Sequence, residues 1–466
     1  MREQVEEAIA DYVVALNYND LPSQVVEITK RQFLDFFAVS IAGHNAPAVK
    51  ELRELYESME GRPESTVIGS PRKLPALDAA QVNATMAHAL DFDDVHEYAI
   101  MHPGVITITP ALAIAEKIGG ISGKVLISSV ALGVDLACRF ALAPTPGRKP
   151  HVGWHLTSLF GYLVSAAVAA KLFGFKREQV MHAMGIAYHQ AAGNGQSVKD
   201  GALTKRLGPG FAVRGGILSA LLAGKGVTGA CRFLTGEWGL YNLYFKGDYK
   251  PEVLVKGLGI SFLNTGVVFK PYPCCRGVHP AIDAALKIVR DLPNLDLGDI
   301  EKVTLEVSES HYHLLCSPEE TKCFPRNTVD AQFSIPWGVA VALSKKRVTL
   351  DYFMEQSLKD QEILSISSKM AIKVNPKLNR RTDESIEPTI VTISMKDGKS
   401  YSAIEEQPLG STTHPMTWKD CMRKFNDCLN GAFHLDANRL VRDVDRLEHL
   451  SDVSVLVKPL AYLPRA

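Results

Sequence analysis

Neither sign of charge dominates this chain: 51 Lys and Arg face 51 Asp and Glu over 466 residues. Without a net field there is no general attraction for nucleic acid or an anionic membrane, and an anionic ligand must be gathered by a local cluster. Cysteine is sparse, at 8, and shows no paired metal spacing. The one close pair, Cys274–Cys275, is vicinal and makes a poor bridge. A reduced, cytoplasmic setting is the expectation. The opening MREQVEEAIADYVVAL carries acids and lacks the basic-then-apolar layout of a signal peptide. Apolar stretches are broken by Gly, Lys or polar residues before a spanning length, so no membrane partner is expected. No internal repeat, low-complexity tract or long run of one charge is present. What remains is an ordinary globular composition, 46% hydrophobic and 22% charged, on a chain long enough for two domains.

Helical periodicity is what the chain does have. Val5, Ile9, Tyr12, Val13 and Leu16 share one face. LPSQVVEITKRQFLDFFAVSIAG starts with Leu-Pro and stops at Gly43. After a Gly/Pro-rich connection with a β-like STVIG run, AQVNATMAHAL returns to helix. From 105 to about 235 the Ala-, Gly- and Leu-rich segments read as core helices whose small residues allow close approach. Within them TKRLGPGFAVRGG reads as a Gly-Pro-Gly turn leading into a helix. Around residue 265 the character changes. FKPYPCCRGVHPAIDAALKIVRD is a Pro-broken loop feeding an amphipathic helix. IEKVTLEVSES alternates as a strand should, and TIVTISMKDGKSYSAIEE reads as a hairpin turning at Asp397–Gly398. The expected fold is mainly α. A large all-α helical domain takes residues 1–267 plus 408–466, and a smaller α+β lid domain, 268–407, is inserted into it.

Four stretches place polar residues where Gly, Pro or helix ends would expose them. AHALDFDDVHEYAIMHPG gathers Asp91, Asp93 and Asp94 with His88, His96 and His102, a density that is costly to bury without purpose. GWHLTSLFG sets His155 just ahead of an apolar helix. TKRLGPG carries Lys205 and Arg206, and a helix N-terminus flanked by basic side chains suits a carboxylate. FKPYPCCRGVHP carries Lys270, Cys275, Arg276 and His279. His88, on an apolar helical face, reads as a satisfied core histidine. His102 reads as functional, with His96, Asp94 and Cys275 as secondary candidates. Tyr312, between His311 and His313 at a strand end, faces either a cleft or solvent. DFDD with two histidines could bind a metal, but His96 and His102 are six apart rather than three or four, so no metal is expected.

HALDFDDVHEYAIMHPG, GWHLTSLFG, TKRLGPGFAVRGG, FKPYPCCRGVHPAIDAA, DAQFSIPWGVAVAL and HPMTWKDCMRKF, in that order, resemble the MmgE/PrpD family over nearly the whole chain. The resemblance implies a homodimer with a cleft between helical domain and lid. It also implies a cofactor- and metal-independent lyase acting on a small polycarboxylate, by dehydration as in 2-methylcitrate dehydratases or by decarboxylation. Carried over by position, the family's site residues fall on Asp91, His102, His155, Lys205 and Lys270, with Tyr312 as a further match. Lys205 and Lys270 are then expected to clamp carboxylates, assisted by Arg206 or Arg276, while His102 and His155 exchange protons and Asp91 orients one of them. Val95 and Cys275 depart from the Thr and His of family decarboxylases like the mammalian one, which argues against itaconate production. The alternatives are an epimerase of an iminodisuccinate-like dicarboxylate, a non-catalytic polycarboxylate-binding protein and a metal-dependent hydrolase.

Overall fold

The computed structural model describes residues 5–144, 153–380, 386–429 and 436–462. Two apolar clusters fill its interior. The larger runs from Val5 to Phe269 and resumes from Met416 to Leu460. The smaller runs from Tyr272 to Ile393, with Val198 joining from outside that span. The chain therefore crosses from one core to the other between Phe269 and Tyr272, and Leu409 already packs on the larger again.

Helices build the larger core, and the fold is mainly α, with a small four-stranded sheet and two short two-stranded pairs among the described residues. Ser23–Gly43 starts directly after Pro22 and ends at its glycine, as Pro-then-Gly punctuation dictates. Pro103–Ile118, Gly123–Leu142 and Leu156–Leu172 are buried along most of their length. The Gly-Pro-Gly reading is corrected: Pro209 lies inside the Thr204–Gly224 helix. Its glycines serve close packing instead of a turn. A Cβ on Gly210 would stand 2.5 Å from Thr85 Oγ1 and 2.8 Å from the Gln81 carbonyl, and one on Gly208 would strike Ser158 Oγ. Packing overrides turn propensity here, and Lys205 and Arg206 move from a loop into the first turn of the helix. The reading of the apolar stretches is also corrected. Gly123–Leu142 and Thr204–Gly224 are long and apolar enough to cross a membrane by length and composition, although more than half of each apolar stretch is buried within the protein, as in core helices.

The smaller core is backed by a four-stranded sheet. Its order is Met370–Val374, Ile300–Val307, Thr389–Met395, Ser400–Glu405. The first pair is parallel and the others antiparallel. Val303, Leu305 and Val307 point inward as their alternation predicts. Gly398, at φ 86°, closes the expected hairpin, a backbone region glycine enters without strain.

Two long-range ties position the loop after the Ala76–His88 helix. Val95–His96 pairs antiparallel with Val267–Val268, with Val95 opposite Val268. The Trp418–Leu429 helix packs on Ser23–Gly43, and its Lys424 Nζ donates to Asp35 Oδ1 and to the Phe92 carbonyl, both at 2.6 Å.

Candidate active site

The Val95–Val268 pairing carries Lys270 alongside Asp91. Lys205 arrives from the opposite side, in the first turn of Thr204–Gly224. The two ammonium groups converge on one carboxylate: Lys205 Nζ donates to Asp91 Oδ1, and Lys270 Nζ to Asp91 Oδ2 and to the Asp91 carbonyl, both at 2.8 Å. All three residues are buried. Burial pushes the Asp91 carboxyl up, but the Lys205 and Lys270 charges outweigh it and hold it well below the ordinary carboxylate range. Asp91 has φ 50°, a left-handed conformation that Asp tolerates better than most residues, and this turns its side chain out of the helix line.

Beside this pair lies a cluster of imidazoles. His102 and His155 each occupy the N-cap position of a helix, Pro103–Ile118 and Leu156–Leu172, so the positive ends of two helix dipoles face the same space. His155 Nδ1 and Ser158 Oγ are 2.7 Å apart. Burial, reinforced by the fields of His88 and Lys205, holds His155 well below its ordinary pKa and keeps it neutral. Asp93 stands between two histidines, 2.8 Å from His88 Nδ1 and 3.2 Å from His102 Nδ1. The second contact is not aligned as a hydrogen bond, a looseness common in sites without substrate. Burial raises the Asp93 carboxyl, but His102 and His88 more than reverse this and leave it ionised. An ionised carboxylate only accepts, so His88 carries its proton on Nδ1. Among the described residues its Nε2 is then a buried lone pair without a partner, and burial lowers its pKa to about 4. The His88 ring lies 4.8 Å from His102 and 5.6 Å from His155, centre to centre. A cavity of about 430 Å³ opens from His155, Ser158 and Lys205 past Asn194 and Thr204.

Sequence reasoning placed Asp91, His102, His155, Lys205 and Lys270 here, and the structure brings all five together. It missed His88 and Asp93. His88 was hidden by its apolar helical face, and Asp93 was one of three clustered acids with nothing to set it apart. The signal available was their i, i+5 spacing across a helix end. His88, Asp93 and His102 offer ligand atoms within 4.8 Å of one another, so the metal-capable set runs through His88 and not through His96. Both Asp93 oxygens already face imidazole Nδ1 atoms, and an ion would have to displace those protons.

The remaining candidates do not converge on the same point. His96 accepts from the Ala99 N–H at 3.1 Å and meets the Leu263 carbonyl at 3.2 Å, and burial lowers it to about 4; it fastens the strand pair. Asp94 takes the Gln32 amide at 2.7 Å and the Gly104 N–H at 3.1 Å, and burial pushes it up to about 8; it secures the helix that His102 caps. Arg276 pairs with Glu97 at 3.2 Å and donates to the Leu409 carbonyl at 3.1 Å, tying the two cores rather than offering itself to a ligand. Arg206 lies near Asp91 but donates to the Pro47 carbonyl at 3.0 Å and to Thr328 Oγ1 at 2.5 Å. The Tyr312 hydroxyl turns away to Glu319 at 3.1 Å. The half-buried Cys275 thiol is pushed up by desolvation, which leaves it a poor nucleophile.

Family models cover both cores. The MmgE/PrpD N-terminal domain matches residues 7–252 and the MmgE/PrpD C-terminal domain residues 272–449. The chain belongs to the MmgE/PrpD family. Among its curated relatives, the cis-aconitate decarboxylase of Aspergillus terreus (strain NIH 2624 / FGSC A1156) is 29% identical over 474 residues, covering 97% of this chain and 95% of the relative. The Homo sapiens cis-aconitate decarboxylase is 25% identical, covering 98% and 94%. The 2-methylcitrate dehydratase of Escherichia coli (strain K12) is 24% identical, covering 86% and 85%. Four of the six stretches that drew the resemblance supply the side chains that meet at this candidate site.

Proposed function

We infer that the chain is a lyase for a small polycarboxylate, working by proton transfer at carbon next to a carboxylate. The observation that carries this reading is the convergence of Lys205 and Lys270 on Asp91 beside two imidazoles at helix N-termini. The decarboxylase and dehydratase names of its relatives support it. Each ammonium has three N–H donors; Lys270 engages two on Asp91 and Lys205 one, so both retain donors for substrate carboxylates. His155, kept neutral, takes the proton from the carbon. The freed electron pair spreads onto the adjoining carboxylate as an enediolate, which the two lysines hold. In dehydration, His102, carrying a proton on Nε2 as well as on the Nδ1 that faces Asp93, gives the Nε2 proton to the departing hydroxyl, which leaves as water. In decarboxylation, the C–C pair takes the place of the C–H pair and an imidazole protonates the carbon. Asp93 orients His102, presenting Nε2 to the cleft, and His88 fixes Asp93. Between the two chemistries we place dehydration first, because Val95 and Cys275 replace the Thr and His expected for decarboxylation. Closure of the sheet-bearing unit over the cleft would exclude water.

The epimerase reading also draws on one observation: the two imidazoles come from separate helices and could serve opposite faces of one carbon. Proton NMR in deuterated water with 2-methylcitrate, cis-aconitate and citrate decides between them. A lyase forms or consumes an alkene, whereas an epimerase exchanges deuterium into unchanged, inverted acid. Absence of both reactions, with tight binding retained, would leave only a binding protein. Activity that vanished on exhaustive chelation and returned with one divalent ion would transfer the role of His88, Asp93 and His102 to metal binding.

A further inference from the structure

Lys322 is the charged group that this reading of the cleft leaves unused. It lies in the short Glu319–Cys323 helix, within a polar SPEETKC run that resembles a solvated face. Yet only 4% of it is exposed. Among the described residues its ammonium has no ion pair and no hydrogen bond. The groups that act on it most strongly are Asp330, Lys199, Cys275 and Cys316. Asp330 is engaged by Arg326 at 2.8 Å. Lys199 is a second cation, bonded to the His313 carbonyl at 2.5 Å. Neither thiol carries a charge, since burial raises both.

Three consecutive residues tie Lys322 to the wall of the site. Ser334 Oγ donates to the Lys322 carbonyl at 2.5 Å. Phe333 sets its ring 5.1 Å from Lys205 Nζ. The Gln332 carbonyl accepts the Cys275 N–H at 2.8 Å. Cys275 in turn lies in the field of Asp91, Lys270 and Lys205, so it is the common neighbour of Lys322 and the lysine pair.

Counting charges shows what is missing. Lys205, Arg206, Lys270 and Lys322 are all buried, at 6%, 1%, 1% and 4% exposure. Asp91 pairs with two of them. Among the described residues Arg206 donates to neutral acceptors and Lys322 to none, and neither has a carboxylate in ion-pair contact, which is unfavourable until an anion arrives. Lys205 and Lys270 can meet two carboxylates of a ligand, and Lys322 remains for a third.

We propose that Lys322 forms a third cationic subsite, which holds the extra carboxylate of a tricarboxylate and so discriminates against dicarboxylates. The proposal rests on the polycarboxylate reading above. Its test uses two unreactive probes that differ by one carboxylate, tricarballylate and glutarate, titrated calorimetrically into the wild type and into Lys322→Met, Lys322→Gln and Lys322→Arg. The wild type should bind tricarballylate about tenfold or more tighter than glutarate. Both uncharged variants should lose that preference by weakening tricarballylate alone, and Lys322→Arg should keep it. Their ligand-free Tm should hold or rise, because an ammonium without an ion-pair partner has been removed. A preference that survives in Lys322→Met or Lys322→Gln overturns the proposal. So does a ligand-free Tm lowered by both substitutions, which would mark a lysine that holds the fold. Equal binding of both probes by the wild type overturns the subsite but leaves the polycarboxylate reading standing; binding of neither removes both.

Discussion

Asp91→Asn is the sharpest probe of the site, because it removes one charge on which two others depend. The carboxylate is 2% exposed, and Lys205 and Lys270 are 6% and 1% exposed. Losing one partner of a buried pair costs about 3–5 kcal/mol. The lower end applies, since the Asn oxygen and the Asp91 backbone carbonyl still accept hydrogen bonds. A loss of about 3 kcal/mol is a large share of the ~5–15 kcal/mol that holds a typical domain. Urea unfolding at pH 7, in buffer free of polyanions, measures it. Because the Asp91 carboxyl is held well below its ordinary value, its contribution is complete above about pH 4. It disappears only as the pH falls through the folded-state value. The gap between wild type and variant should therefore be level from pH 7 to about 4 and close in stronger acid. A tricarboxylate at a hundred times its Kd should return about 2.7 kcal/mol to a variant that still binds it. A variant that loses under about 1 kcal/mol, or a gap that closes near neutrality, would refute the claim that both ammonium groups depend on this carboxylate.

Asp93→Asn should lower kcat about 10²-fold or more with little change in KM, because the amide can no longer enforce the His102 tautomer; an unchanged pH profile of kcat would rule Asp93 out as a positioning residue. His96 is held at about 4 in the folded state, so the unfolded chain takes up its proton first as the pH falls. Stability should drop by about 2 kcal/mol from this group between pH 7 and pH 5, and His96→Gln should remove that slope while kcat is retained. Gly210→Ala should cost about 1–3 kcal/mol by overpacking against Thr85 and the Gln81 carbonyl, read as a fall in Tm; an unchanged Tm would mean that the two helices can part.

Much of this molecule was legible because local and global preferences agreed. Ser23–Gly43 carries its own start and stop, Ile300–Val307 alternates cleanly, and Asp397–Gly398 is a turn wherever it is met. Misreadings arose where tertiary contacts decided. Gly208-Pro209-Gly210 has turn composition, but neighbouring helices pressing on both glycines hold it helical. His88 followed an apolar stripe and was read as core, which it is by burial; only the fold reveals that its buried partner is Asp93. Lys322 sits among glutamates in a run that looks solvated, yet the Ile335–Lys345 helix and the segments on either side of Glu319–Cys323 pack against it. Arg276 and Tyr312 had suitable chemistry, but Glu97 and Glu319 already engage them.

Lys424 closes a span of 332 residues onto the Phe92 carbonyl, between Asp91 and Asp93. Contacts of such separation are slow to form and form after local structure. During synthesis the imidazoles and Lys205 are complete long before the loop that carries both carboxylates is anchored, so competence for chemistry is a late property of the chain. The same tie changes how a mutational screen on this protein should be interpreted. Substitutions that loosen the Trp418–Leu429 helix, none of them at the cleft, will register as catalytic defects, and a survey scored by turnover alone would place part of the active site in the wrong third of the sequence.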